Sequence, residues 1–165
     1  MKYLDALNGW IAKIETILIV IILSAMVLLS FLQVLLRNFF NEGLLWGDTL
    51  LRHLVLWVGF LGASLATRDG KHISIDLFGR FLKKRGKSLS SLVTNLFSVF
   101  IGYLLTDASW YFVMDEKAVG TTLFNEIPVW YFQIIIPIGF GLITFRFLIN
   151  AIKNIRELLP EKQGA

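Results

Sequence analysis

Cysteine is absent from this sequence, which removes disulfides, thiol nucleophiles and thiolate metal sites. Histidine occurs twice, at His53 and His72, on different levels of the chain. A haem clamped between helices is therefore disfavoured. Charge is scarce as well: 17% of residues are Asp, Glu, Lys or Arg, against roughly 25% in a soluble domain. No P-loop, Gly-rich dinucleotide turn or Ser-His-Asp set can be assembled. Nothing points to covalent chemistry, so no enzyme and no cofactor is expected.

What is present is hydrocarbon. Of the 165 residues 56% are hydrophobic, and the mean hydropathy is +0.68. The apolar residues gather in four blocks, each near the ~20 residues that cross a bilayer core. The expected fold is all-α and integral to the membrane, a single domain over 1–165. Its crossings are placed at about 14–37, 46–67, 89–112 and 128–149. A cleaved signal peptide fits poorly, because the first block is long for one and runs into Gln33 and Arg37 instead of a small-residue cleavage site.

The net charge of +4 invites a nucleic-acid reading, yet the basic residues sit between the hydrophobic blocks. They set topology instead. Arg68, Lys71, Arg80, Lys83, Lys84, Arg85 and Lys87 follow the second block, whereas Arg37 alone follows the first and Lys117 alone the third. Lys2 and Lys13 precede the first, and Lys153, Arg156 and Lys162 follow the fourth. With four crossings every basic-rich segment falls on one side, so both termini are expected in the cytoplasm.

Three segments carry amphipathic patterns. Residues 2–13 put Tyr3, Leu4, Leu7 and Trp10 on one face, which suits a surface helix or an extension of the first crossing. About 73–85, Ile73, Leu77, Phe78 and Phe81 share a face flanked by Arg80, Lys83 and Lys84, as for a helix lying on anionic headgroups. The tail, 150–159, repeats the pattern. Trp10, Arg80, Lys83 and Lys84 are the expected contacts to the cytoplasmic membrane surface.

Inside the crossings, polar and small residues mark faces for other helices. Ser30, Gln33 and Arg37 share a face near the outer end of the first. In the second, Asp48, Arg52, Gly59, Ala63 and Ala66 lie on one side, and Leu50, Leu54, Trp57, Leu61 and Leu65 on the other. The expectation is that the small and charged side meets protein and the bulky side lipid. Asp48, one turn before Arg52, is its natural ion-pair partner. Gly59, Gly62, Ala63 and Ala66 allow close backbone approach, to a partner or within the chain. The third crossing carries Asn95, Ser98, Gly102, Thr106 and Ser109 as a contact stripe. Glu15 is expected solvated, or paired with Lys13 or a headgroup. Pro137, inside the fourth crossing, deprives the Gln133 carbonyl of its donor and predicts a kink.

Several of these residues together carry a resemblance. Gln33–Phe40 (QVLLRNFF), Trp46 with Asp48, Arg52, Trp57, Phe60–Ser64 (FLGAS), Arg68 and His72–Asp76 (HISID) resemble the small membrane subunit, of DctQ/SiaQ type, of tripartite ATP-independent periplasmic (TRAP) transporters. The likeness covers essentially the whole chain. One departure is that Asp48 is followed by Thr49, where the family commonly has a second acid. The resemblance implies a bacterial inner-membrane scaffold that clasps a large multi-helix subunit. That subunit would move a small organic anion, such as a sialic acid or a C4-dicarboxylate, with sodium. A periplasmic solute-binding protein would deliver the anion. Gln33, Arg37, Asp48, Arg52, Gly59, Gly62, Ala63, Ala66, Ser98 and Gly102 are then the expected subunit or helix interface. Trp46, Trp57, His72 and Asp76 are motif residues without an assigned role. The reading from another class is a small self-sufficient homo-oligomeric carrier or channel, with the Asp48–Arg52 and Ser98–Thr106 stripes lining its pore.

Overall fold

A computed structural model describes residues 2–44, 46–68, 84–123 and 126–158. Four apolar stretches of membrane-spanning length account for most of them. They are α1 (Lys2–Phe39), α2 (Gly47–Arg68), α3 (Lys84–Val119), and the pair α4 (Trp130–Gln133) and α5 (Ile135–Leu158), which together make the fourth crossing. Among the described residues there is no strand, only an isolated antiparallel bridge between Thr122 and Pro128.

The helices stand in a row. α1 packs on α2, α2 on α5, and α5 on α3. The flanking helices α1 and α3 are consequently covered on one side and carry exposed hydrocarbon on the other. Val27, Leu28 and Phe31 do so on α1, and Val93, Phe97 and Tyr103 on α3. In water such a surface would aggregate; in a bilayer it is the solvated side.

The first crossing begins earlier than its apolar run. Residues 2–13, where a separate surface helix was one of two expectations, are the opening turns of α1 with no interruption. At 1.5 Å per residue its 38 residues span about 57 Å, well beyond a hydrocarbon core of about 30 Å. The second corrected boundary is at the far end of α3. The third crossing was expected to end at about 112, but the helix continues to Val119, with Val113 fully buried. Gly120 ends it, at φ 73°, its N–H donating to the Glu116 carbonyl at 3.1 Å. This left-handed terminus suits glycine, which has no Cβ to collide with the preceding turn. The basic surface helix expected over 73–85 lies outside the described residues, with Arg80, Lys83, His72 and Asp76. Lys84 begins α3.

Where a kink was expected from Pro137, the helix is interrupted about one turn before it, at Ile134, and the Ile138 N–H reaches the Ile134 carbonyl only at 3.4 Å. A prolyl ring removes one donor and crowds the carbonyl four residues back, so the ladder opens there. The loop before α4 is drawn tight by Val129 N–H to Thr121 carbonyl at 3.0 Å and Leu123 N–H to Ile127 carbonyl at 2.9 Å. The Lys117 ammonium lies 4.9 Å from the Trp130 ring centroid, joining the end of α3 to α4.

Candidate interaction site

α2 is bordered by α1 and α5, and its two sides have opposite fates. Gly47, Leu61, Ser64 and Thr67 are buried. Asp48, Arg52, Val55 and Gly59, spaced by four, three and four, are exposed. The bulky side bearing Leu61 and Trp57, expected to meet lipid, is instead covered within the chain, because α5 and α4 supply its neighbours. The charged and glycine side is left open.

Three contacts hold the covered side. The Trp57 indole N–H donates to the Phe132 carbonyl at 2.9 Å, next to the interruption at Ile134. This gives one motif residue a role: it ties α2 to the interrupted part of the fourth crossing. The Phe60 ring meets Phe140 edge-on at 5.0 Å between centroids and lies against Gly139, where a Cβ would overlap it. His53 places its Nδ1 2.8 Å from the Thr49 carbonyl and its ring 5.3 Å from that of Phe132.

Deeper along α2 lies a polar cluster that sequence reasoning did not find. Arg146, on α5, is 1% exposed; Glu15, on α1, 2%; and Ser64, on α2, not at all. The Arg146 guanidinium donates through Nη2 to Glu15 Oε2 and through Nη1 to the Ser64 carbonyl. The Ser64 hydroxyl donates to Glu15 Oε1 at 2.8 Å. One helix turn on, Asn150 Nδ2 donates to the Thr67 carbonyl at 3.3 Å. Three helices are thereby pinned at one level. Glu15 is thus neither solvated nor paired with Lys13, as expected of it. Its carboxylate is enclosed because Arg146, inside an apolar helix, needs a counter-charge that cannot come from water. A signal existed: an arginine within the run GLITFRFLIN and one acid near the inner edge of the first block, at matching depth.

At the opposite end, Gln33 Nε2 donates to Asp48 Oδ1 at 3.1 Å and to the Leu44 carbonyl at 3.3 Å, bridging α1 to the start of α2. The expected Asp48–Arg52 ion pair is not formed. Among the described residues the partner of Asp48 is Gln33, and Arg52 is exposed without an ion pair. Arg37 is exposed, Trp46 half-buried, and Trp10 64% exposed near the start of α1.

The glycines divide in the same way. A Cβ on Gly102 would collide with the Thr144 hydroxyl of α5, and one on Gly47 with the Gln33 amide. A Cβ on Gly59 or Gly62 would meet nothing within 4 Å. These two do not serve packing within this chain. Ala63 and Ala66 beside them are half-buried. The stripe on α3 is turned inward: Gly102 and Ser109 are buried and Ser98 half-buried. Its hydroxyls are satisfied on their own helix, Thr106 by the Gly102 carbonyl at 2.7 Å and Ser109 by the Thr106 carbonyl at 2.9 Å. A stripe covered by α5 is not free to line a pore. Among the described residues no three His, Asp or Glu side chains gather as a metal site would require.

Comparison with known proteins adds the context. Residues 26–157 match the family described as tripartite ATP-independent periplasmic transporters, DctQ component. A TRAP transporter small permease protein of Haemophilus influenzae is 33% identical over 105 residues, which make up 64% of this chain and 65% of that protein, slightly under two thirds of its length. The C4-dicarboxylate TRAP transporter small permease protein DctQ of Vibrio cholerae is 28% identical over 160 residues, 82% of this chain and 68% of the relative. The sialic acid TRAP transporter permease protein SiaT of H. influenzae is 31% identical over 96 residues, 58% of this chain but 14% of that much longer protein.

Proposed function

Because the chain belongs to the DctQ-component family of TRAP transporters, a small permease subunit spanning the bacterial inner membrane, we propose that it is the fixed member of the transporter. In this reading it holds a large translocating subunit through the open face of α2. The observation that carries it is the pair of glycines and charges on that face. Arg52 lies five residues into a 22-residue apolar helix. At 1.5 Å per residue that is about 7.5 Å from the helix start, where an arginine facing lipid still costs part of the about 2.5–3.5 kcal/mol it costs at the helix centre, and two open glycines beside it pack nothing in this chain. A second polypeptide laid along Asp48, Arg52, Gly59 and Gly62 relieves both problems. It supplies an acceptor for the guanidinium and a surface for close backbone approach.

The other half of the proposal is rigidity. A subunit that braces a moving neighbour needs helices that hold their spacing, and the Glu15–Arg146–Ser64 cluster supplies that at one end and Gln33 at the other. That part of a much longer permease resembles this chain is consistent with a segment that works beside a larger membrane partner. Sodium coupling is assigned to that partner, and delivery of solute to a periplasmic binding protein. The solute is proposed to be an organic anion of the sialic acid or C4-dicarboxylate class, by analogy with relatives so named.

The test is co-purification with a co-expressed large TRAP membrane subunit. Arg52→Leu with Gly59→Leu should lose the partner while the chain alone stays folded in detergent. Retention of the partner would show that another face docks it. Solute flux through liposomes holding this chain alone would overturn the scaffold reading.

A further inference from the structure

At the end of the bundle that holds the Glu15–Arg146 pair, a groove of about 280 Å³ opens between α1 and the last turn of α2. Ala12, Lys13, Thr16, Ile17 and Arg68 line it. The described part of α1 runs past it to Lys2 on one side, and Arg68, the last described residue of α2, stands on the other.

Three features select one class of occupant. The first is charge. Lys13 and Arg68 are both exposed, and among the described residues neither forms an ion pair. Asp69, beside Arg68 in sequence, lies outside the described residues, and Glu15, two residues from Lys13, is enclosed and occupied by Arg146 and Ser64. It cannot neutralise the groove from outside. The second is the floor. Ala12 is buried at 2% exposure, and the Thr16 hydroxyl is turned to the Ala12 carbonyl at 2.8 Å. The Thr16 proton is therefore spent within the helix, and no carboxylate stands among the groove's lining residues. The third is what lies above. Ile17, Ile21 and Leu28 follow along α1 at helical spacing, 59%, 57% and 67% exposed. A diffusible anion would have no use for that track; an acyl chain would.

We propose that this groove binds the phosphate headgroup of an anionic phospholipid, clasped by Lys13 and Arg68, with one acyl chain along Ile17 and Ile21. The distribution of Lys and Arg puts this end at the cytoplasmic leaflet, where anionic headgroups raise the local concentration of the ligand. The site is distinct from the face assigned to the large subunit, and it does not depend on that assignment. It also differs from general attraction of a basic segment to a surface, because two cations from two helices must converge on one phosphate.

The experiment is native mass spectrometry of the full chain released from phosphatidylcholine nanodiscs doped with phosphatidylglycerol. Wild type should retain one phosphatidylglycerol in preference to phosphatidylcholine. Lys13→Gln with Arg68→Gln should lower that affinity about thirty-fold, as expected for two interfacial cations. Lys13→Arg with Arg68→Lys should restore it, and Arg37→Gln, which removes one charge at the other end, should leave it unchanged. Equal retention of both lipids, an undiminished double variant, or the same loss in Arg37→Gln would overturn the proposal. So would displacement of the lipid by inorganic phosphate, which would identify a free-anion site. Circular dichroism of each variant establishes that helicity is intact, so a lost lipid cannot be put down to unfolding.

Discussion

Replacing Arg146 by methionine is the sharpest probe of how this bundle holds together. The substitution keeps the length and most of the volume of the side chain while deleting its charge. It removes the donor to Glu15 Oε2 and the donor to the Ser64 carbonyl. Glu15, at 2% exposure, keeps only the Ser64 hydroxyl. Breaking a buried pair by removing one member costs about 3–5 kcal/mol, because the remaining charge is enclosed without compensation. Removing both members costs far less: replacement of a whole buried pair by packed hydrocarbon is often neutral. Unfolding free energies from SDS titration, followed by far-UV circular dichroism, should therefore show a large loss for Arg146→Met and for Glu15→Leu. The double variant should stand within about 1 kcal/mol of wild type, an order-of-magnitude figure on the same basis. A loss under about 1 kcal/mol for Arg146→Met alone, or a double variant that simply adds the two single losses, would refute the view that Glu15 and Arg146 compensate one another.

The glycines supply a second set of expectations. Gly102→Val should cost about 1–3 kcal/mol from overpacking against Thr144, with partial recovery in Thr144→Ala, measured by the same titration. Gly139→Ala should behave alike against Phe60, and Phe60→Leu should relieve it. Gly59→Ala and Gly62→Ala, whose added methyl groups meet open space, should leave the isolated chain at least as stable as wild type, since alanine is the better helix former. A marked loss in the isolated chain would mean that this face is covered by the chain itself. Trp57→Phe should lose about 1 kcal/mol through the missing bond to the Phe132 carbonyl. Hydrogen exchange should show faster opening confined to residues 130–138.

Sequence and fold parted company in an instructive way along α2. Its periodicity divides small and charged from bulky residues, yet periodicity cannot say which side a neighbour will cover. In lipid, hydrocarbon is as content against acyl chains as against protein, so the bulky side was free to go either way. α5 took it, through Phe140 and Gly139 against Phe60. The Asp48–Arg52 pairing failed for a related reason. Helical spacing brings the two within reach, but Asp48 is turned to Gln33 of α1, and Arg52 stays exposed.

What was determined by the residues alone is everything local or additive. The number of crossings follows from counting apolar residues against bilayer thickness. The break in the fourth crossing follows from one missing N–H at Pro137. The turn at Gly120 needs no partner beyond its own helix. The tertiary structure decided the long-range pairings. Glu15, Ser64 and Arg146 are separated by 49, 82 and 131 positions. They meet because a buried charge in a low-dielectric interior must find its complement, and only the folded row of helices brings that complement within hydrogen-bonding distance.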